Sequence, residues 1–290
     1  MNAIPFPVEA DLPIFDERRP VLRTRPRKAL HHFRELLKDK ERTEEVFCIF
    51  EALPWRGYRA AGVAFLESER GQFLRAGEPY LPAILDDHAA LRRTPAGSLA
   101  HAYCDFMERE GLSAQGLVDE FSRFAQGRPQ FRDQFEWYMN RSRDVHDLLH
   151  VLTGYGRDSL GEACVLAFTY SQQPSPAHLF IGYMAGLNMK KTVKSKAPVL
   201  SAVREGQRLG KACPRLIEQS ITELLPLPIE EVRRRLNITL ARNYQRAHQV
   251  WHGMGVDPYH LLVRAPVDAQ QEMAQAALTA LLLRPTRARS

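Results

Sequence analysis

Apolar residues recur along this chain at spacings of three and four, and almost nowhere at every second position. From Lys28 onward Leu30, Phe33, Leu36 and Leu37 set the pattern, and Val46, Phe47, Ile49, Phe50 and Leu53 repeat it. That spacing lines one face of a helix, whereas a half-buried strand needs a period of two. The spacing predicts helices from Lys28, over 43–53 (stopped by Pro54), 58–69, 97–110 (opened by Ser98), 113–125 and 129–152. It predicts others over 158–173, 175–187, 198–209, 213–224, 229–251 and 266–283. No series of alternating β-branched residues interrupts them, so the expected fold is all-α. It is a single compact helical domain with an extended N-terminal arm and a helical C-terminal tail. The arm and first helix are assigned to 1–39, the domain to 40–240 and the tail to 241–290.

Composition excludes several classes of function. At 290 residues, 44% hydrophobic and 26% charged, the chain can bury a sizeable core and is neither disordered nor fibrous. No apolar run approaches the roughly 18–20 residues that span a bilayer. The start, MNAIPFPVEADLPIFDERRP, has prolines and acids where a secretory leader needs a basic end and an apolar stretch. A cytoplasmic protein, peripherally associated with the inner or cytoplasmic membrane, is expected. Cys48, Cys104, Cys164 and Cys213 lie far apart with no CxxC pair, which suits reduced, buried thiols rather than a disulfide framework or a thiolate zinc site.

Net charge is +6, too modest to imply nucleic acid, but it is unevenly spread. Between Asp16 and Arg34 seven basic residues face two acids, and Lys190, Lys191, Lys194 and Lys196 form a second knot. Such patches suit anionic lipid heads, phosphates or plain solvation.

Chemistry concentrates in RSRDVHDLLHVLTGYGRDSLGEACVLAF, residues 141–168. On a helix His146 and His150 stand about 40° apart on one face, with Asp147 about 100° from His146. Gly154-Tyr155-Gly156 breaks the helix and lets the chain reverse. Glu162 then falls in the first turn of the next helix, with Ser159 as one candidate cap. Two imidazoles with one or two carboxylates make a nitrogen/oxygen site for zinc, and equally for iron or manganese. Lacking thiolates, it reads as an open site that polarises an oxygen or acidifies bound water. The competing reading is an ordinary helical His pair. His248 and His252 repeat the four-residue spacing, with Asp257 and His260 downstream, but without a carboxylate in a comparable helical place. They read as a surface or structural cluster, and His31 and His32 as solvated.

The pattern His146-Asp147-x-x-His150, eleven residues, then Glu162 resembles the motif of the coenzyme Q (ubiquinone) biosynthesis protein four family. Pro95-Ala96-Gly97-Ser98-Leu99 with Tyr103 and Phe106 resembles that family's Pro-x-Gly-(Ser/Thr) helix opening. Val151–Gly161 resembles the turn before its glutamate, and Glu230-Glu231-Val232-Arg233 through Leu236 and Ile238 its closing segment. The likeness spans about 40–240, and the stretch Tyr170–His178 departs from it.

The resemblance implies a mostly helical protein of ubiquinone synthesis at a membrane surface, homodimeric and working beside other biosynthesis proteins. It implies a divalent metal, often zinc, on His146, Asp147, His150 and Glu162, with Asp147 the better candidate for a base or an outer partner of the ligands. It further implies oxidative decarboxylation at ring carbon one of a prenylated hydroxybenzoate, or else a metal-stabilised lipid-binding scaffold. For the prenyl tail, Phe168, Tyr183 and Met184 are the expected walls, together with Val165, Leu166, Leu179, Phe180, Ile181 and Leu187. Lys190 and Lys191 are expected to contribute to substrate binding and, with Lys194 and Lys196, to face anionic lipid. An HD-type phosphohydrolase is the rival enzyme class, with His88 or His101 as an extra ligand, but it leaves the Glu162 spacing unexplained.

Overall fold

The computed structural model describes residues 12–39 and 42–261, and among them the only β pairing is an isolated bridge between Ser98 and Pro228. The helices are α1 (Pro26–Leu36), α2 (Thr43–Ala52), α3 (Tyr58–Glu67), α4 (Glu69–Gly77), α5 (Leu81–Leu85) and α6 (His88–Leu91). They continue with α7 (Leu99–Glu110), α8 (Ala114–Phe124), α9 (Gln134–Asp144), α10 (His146–Thr153), α11 (Ser159–Gln172) and α12 (Pro176–Thr192). The last are α13 (Val199–Ala212), α14 (Ile221–Leu224), α15 (Ile229–Arg235) and α16 (Arg242–Gly253), with short 3-10 turns at Leu216–Glu218 and Pro258–His260. The all-α expectation holds. The helix expected over 266–283 lies outside the described residues.

Three expected helices are broken. The 129–152 segment starts only at Gln134, where Asp133 accepts the Glu136 amide as N-cap, and it splits at Val145 into α9 and α10. The 229–251 segment splits because Asn237 takes a positive φ of 54° and the Ile238 amide bonds back to Arg233 O at 2.8 Å, closing α15. Asn tolerates that left-handed conformation better than most residues. The 213–224 segment reduces to a 3-10 turn and the one-turn α14. Conversely, α12 runs five residues beyond its expected end and carries Lys190 and Lys191 in its last turn, where cations complement the helix dipole.

Three buried clusters frame the interior. The largest gathers Leu99, Tyr103, Leu148, Leu152, Leu160, Cys164, Val203 and Trp251 around α11. A second joins α1, α2 and α12 through Phe33, Ile49 and Ile181, and a third joins α3, α4 and α9 through Phe65, Leu74 and Tyr138. Within the third, the fully buried Arg141 pairs with Glu78 at 2.7 Å and donates to the Ile217 and Gln219 carbonyls. Each of its polar atoms thus finds a partner, without which the burial would be costly.

The arm from residue 12 is irregular, turning once where the Arg19 amide donates to Asp16 O, and it is anchored. The amides of Gln134 and Phe135 donate to Pro13 O and Ile14 O, and Arg19 clamps Asp133 and Glu136 at 2.7 Å each. Part of the first basic knot is therefore tied down, while Arg18, Arg23, Arg25 and Arg27 are exposed. At the other end α16 packs on α13 and places Tyr244, Ala247 and Trp251 in the main core. Cys104, Cys164 and Cys213 are buried and unpaired, and Cys48 is half-buried.

Candidate metal centre

Helix α10 begins one residue after α9 and ends at Gly154, whose φ of 75° is the left-handed cap that suits glycine. The chain reverses through Tyr155 and Gly156. Asp158, rather than Ser159, caps α11, accepting the amides of Leu160 and Gly161 at 3.0 and 3.2 Å. Aspartate does this well because its charge also meets the positive helix end. The Glu162 amide closes the first turn on Asp158 O at 3.0 Å, which aims the Glu162 side chain back at α10. The far end of α10 is held by Arg233 of α15, whose guanidinium donates to Leu152 O at 2.9 Å and Val151 O at 3.0 Å.

Three ligand atoms converge across this hairpin. His146 Nε2 and His150 Nε2 lie 3.3 Å apart, and each is 3.5 Å from Glu162 Oε2. Bonds of about 2.1 Å to a tetrahedral zinc would space neighbouring ligands about 3.4 Å apart, so the residues present fit three corners of such a site. His150 Nδ1 is 3.1 Å from Tyr155 O; a proton donated to that carbonyl leaves the Nε2 lone pair free to ligate. The Phe106 ring stacks on His150 at 5.6 Å, which fixes the imidazole plane. Among the described residues the convergent set holds His146, His150 and Glu162, and Asp147 stands outside it. Its shorter side chain, at the edge of the helical arc, reaches the wall of the adjoining cavity instead.

The electrostatics favour a cation. Burial opposes charge on His150, but the Glu162 carboxylate outweighs it and raises the ring above the ordinary imidazole pKa. Burial opposes charge on Glu162 too, yet the His150 and His146 rings hold its carboxyl well below the usual range. The centre thus prefers a carboxylate with positive charge beside it, and a metal ion supplies that charge in place of protons. Arg157 Nε lies 3.8 Å from the other carboxylate oxygen.

His150 is fully buried, whereas His146 and Glu162 face a cavity of about 1270 Å³. Its walls include Phe33, Val46, Phe47 and Phe50 from α1 and α2, Leu117, Phe121 and Phe124 from α8, and Leu166 and Ile181 from α11 and α12. Arg143 and Arg157 also line it, and Pro20, Val21 and Leu22 of the arm form part of its rim. Of the walls expected from sequence, Leu166 and Ile181 lie here. Phe168 does not, being fully buried in the main core beside Val165 and Val203. Tyr183 is turned to Gln207, donating to Oε1 at 2.6 Å, and Met184 packs on the α1–α2–α12 cluster, so neither lines the cavity. Lys190 and Lys191 are exposed and away from it.

The aromatic wall of α1, α2 and α8 was missed by sequence reasoning. Its trace is the pairing of Phe47 with Phe50 and Phe121 with Phe124, three apart on amphipathic helices. The other histidines have separate duties. His32 is not solvated but bonds Glu45 at 2.6 Å, and His88 bonds Glu108 at 3.1 Å. His101 reaches the Arg92 and Thr94 carbonyls, so neither His88 nor His101 supplies the extra ligand a phosphohydrolase needs. His248 lies 3.2 Å from Asp158 Oδ1, and His260 pairs with Asp257 at the surface.

Comparison with known proteins places this architecture. A model of the coenzyme Q (ubiquinone) biosynthesis protein Coq4 family matches residues 63–242, more than half the chain. The ubiquinone biosynthesis protein COQ4 homolog 2, mitochondrial, of Culex quinquefasciatus is 28% identical over 131 residues, which cover 44% of this chain and 55% of that protein. The homolog of Nematostella vectensis is 27% identical over 173 residues, 57% of this chain and 77% of its own. The chain thus spans about half the length of the Culex relative it matches. A solved structure of a Nostoc punctiforme protein covers 74% of this chain and 98% of its own at a TM-score of 0.50 and 21% identity, a likeness of fold alone. The family match runs across both helices of the hairpin that carries His146, His150 and Glu162, and the chain belongs to the coenzyme Q (ubiquinone) biosynthesis protein Coq4 family.

Proposed function

We propose that this protein acts in ubiquinone biosynthesis as a metal-dependent enzyme that oxidatively decarboxylates a prenylated hydroxybenzoate at ring carbon one. The observation that carries the reading is the convergence of His146, His150 and Glu162 at 3.3–3.5 Å on the wall of an aromatic-lined cavity. Zinc is the first candidate for these donors, with iron and manganese as alternatives. When bound, the metal supplies a Lewis acid for an oxygen of the substrate.

The chain's own residues divide the remaining work. His150, buried and bonded to Tyr155 O, is the fixed ligand, while His146 and Glu162 present the open side to the cavity. Arg157 and Arg143 put positive charge on the same wall, where a substrate carboxylate has to dock. Asp147 is the carboxylate nearest in sequence to the ligands on that wall and serves as proton acceptor for the ring hydroxyl. The aromatic end of the cavity takes the prenyl tail, each buried methylene contributing roughly 0.8 kcal/mol. The balance is that the ring–carboxyl bond breaks with loss of carbon dioxide and a ring–oxygen bond forms. Water supplies the oxygen and dioxygen takes two electrons, leaving as hydrogen peroxide.

A tail-bearing substrate has to come from a bilayer, and no helix among the described residues is long and apolar enough to cross one. Peripheral attachment is supported by Val21 and Leu22, 89% and 48% exposed at the cavity rim and flanked by the exposed Arg18, Arg23, Arg25 and Arg27. The lysine knot of residues 190–196 offers a second anionic-lipid contact; charge reversal at Lys190, Lys191, Lys194 and Lys196 should reduce binding to phosphatidylserine liposomes, and unchanged binding would remove it.

The test of the activity is direct. The zinc-loaded protein is supplied with a prenylated 4-hydroxybenzoate and oxygen, and carbon dioxide and the ring-hydroxylated product are measured. Turnover that His150→Ala abolishes, with the fold intact, is the expected result. Lipid binding without turnover would instead make the protein a metal-stabilised scaffold that holds the precursor for the other biosynthesis proteins.

A further inference from the structure

The hairpin turn that brings the ligands together is held partly by its own bonds and partly from α16, which satisfies the Gly156 amide and one Asp158 oxygen. Tyr244 Oη accepts the Gly156 amide at 2.9 Å and donates to Asp158 Oδ2 at 2.5 Å. Its ring meets the buried Tyr155 ring edge-on at 5.2 Å, and His248 Nε2 lies 3.2 Å from Asp158 Oδ1. The same two turn residues control the ligands: Tyr155 O faces His150 Nδ1, and Asp158 caps the helix that presents Glu162. A Cβ on Gly156 would stand 2.9 Å from Tyr244 Oη and 2.7 Å from Tyr259 Oη and push both hydroxyls aside, whereas glycine lets Tyr244 Oη close on the turn. The helix is in turn fixed to the body. The Asn243 amide donates to Glu205 Oε2 at 2.7 Å, and the buried Trp251 donates to Ser195 Oγ at 3.2 Å.

We propose that Tyr244, backed by His248, is a positioning residue for the metal ligands, so that docking of α16 and metal binding are coupled. This rests on the metal reading of the centre. The family model matches residues 63–242, and both Tyr244 and His248 lie past its end, so the clamp reaches outside the family's shared segment. Coupling of this kind is reciprocal: whatever affinity α16 lends the ion, the ion returns as protection of α16.

The experiment is a zinc titration against a competing chelator on the full chain. Tyr244→Phe deletes both hydrogen bonds while keeping the ring, and should weaken zinc about ten- to hundredfold with a cooperative melt retained. His248→Gln should weaken it less, in the same direction. Val250→Ala, which trims a core contact on α16 away from the turn, should lower the melting temperature and leave zinc affinity unchanged. In the wild type, zinc should slow hydrogen exchange of the α16 amides. Tyr244→Phe binding zinc like the wild type, or Val250→Ala losing as much affinity, overturns the proposal while leaving the metal centre standing. A wild type that takes up no zinc overturns both.

Discussion

Gly161 sits one residue before Glu162, under the turn that holds His150, and Gly161→Ala should damage stability and metal binding together. A methyl there would stand 1.9 Å from the Gly156 carbonyl oxygen and 2.8 Å from its carbon. Since the obstacle is backbone, α11 and the turn have to part by roughly 1 Å or more to restore ordinary contact. Overpacking of this kind costs about 1–3 kcal/mol, which for a chain of this size lowers the melting temperature by roughly 2–10 °C. Metal ligation tolerates only about 0.2 Å of misplacement, so the zinc-induced rise in melting temperature should shrink as well. A tenfold weaker site loses about 1.4 kcal/mol of ligand stabilisation at saturating zinc. The assay is a pair of thermal melts, with excess zinc and with chelator, for the wild type and Gly161→Ala. Gly77→Ala serves as control, because nothing lies within 4 Å of a Cβ there; it should be neutral or slightly stabilising. A Gly161→Ala protein with the wild-type melt and an undiminished response to zinc would refute the packing argument.

Arg233→Met removes two charged hydrogen bonds from the last carbonyls of α10 and should cost about 2–4 kcal/mol in urea unfolding, whereas a loss under 0.5 kcal/mol would make the contact incidental. His178 is buried against Phe50, and burial pushes its pKa down to about 3. It folds neutral, so its contribution is whole above pH 6.5 and declines as pH falls from there toward 3, at about 1.4 kcal/mol per pH unit. His178→Gln should flatten that acid limb of the stability profile, and an unchanged limb would assign it to other groups. Leu166→Arg sets a cation in the apolar part of the cavity; it should abolish binding of a prenylated benzoate while leaving zinc uptake at wild-type level, and retained binding would move the tail elsewhere.

The metal trio was legible in the sequence because its geometry is local: two rings one helical turn apart, a reversal, and a carboxylate in the next first turn. Helical periodicity decides which residues share that face, yet it does not decide how far a side chain reaches, so Asp147 was included where the structure leaves it on the cavity wall. The cap of α11 shows the same limit. Ser159 and Asp158 both suit the position locally, and Asp158 fills it while its second oxygen meets Tyr244 from far along the chain. Helix breaks at Val145 and Asn237 escaped the apolar spacing because the stripe continues through them. The cavity walls escaped it for a different reason. Phe168 and Leu166 are near neighbours on one helix with similar apolar character, and only the arrival of α1, α2 and α8 makes one a wall and the other core.

The central claim is that His146, His150 and Glu162 share one cation. Crystals of the zinc-loaded protein, measured at the zinc absorption edge, should show one anomalous peak about 2.0–2.2 Å from His146 Nε2, His150 Nε2 and a Glu162 carboxylate oxygen, and the peak should vanish in Glu162→Ala. A map with no peak among these three side chains, or with Glu162 turned away from the rings, would contradict it.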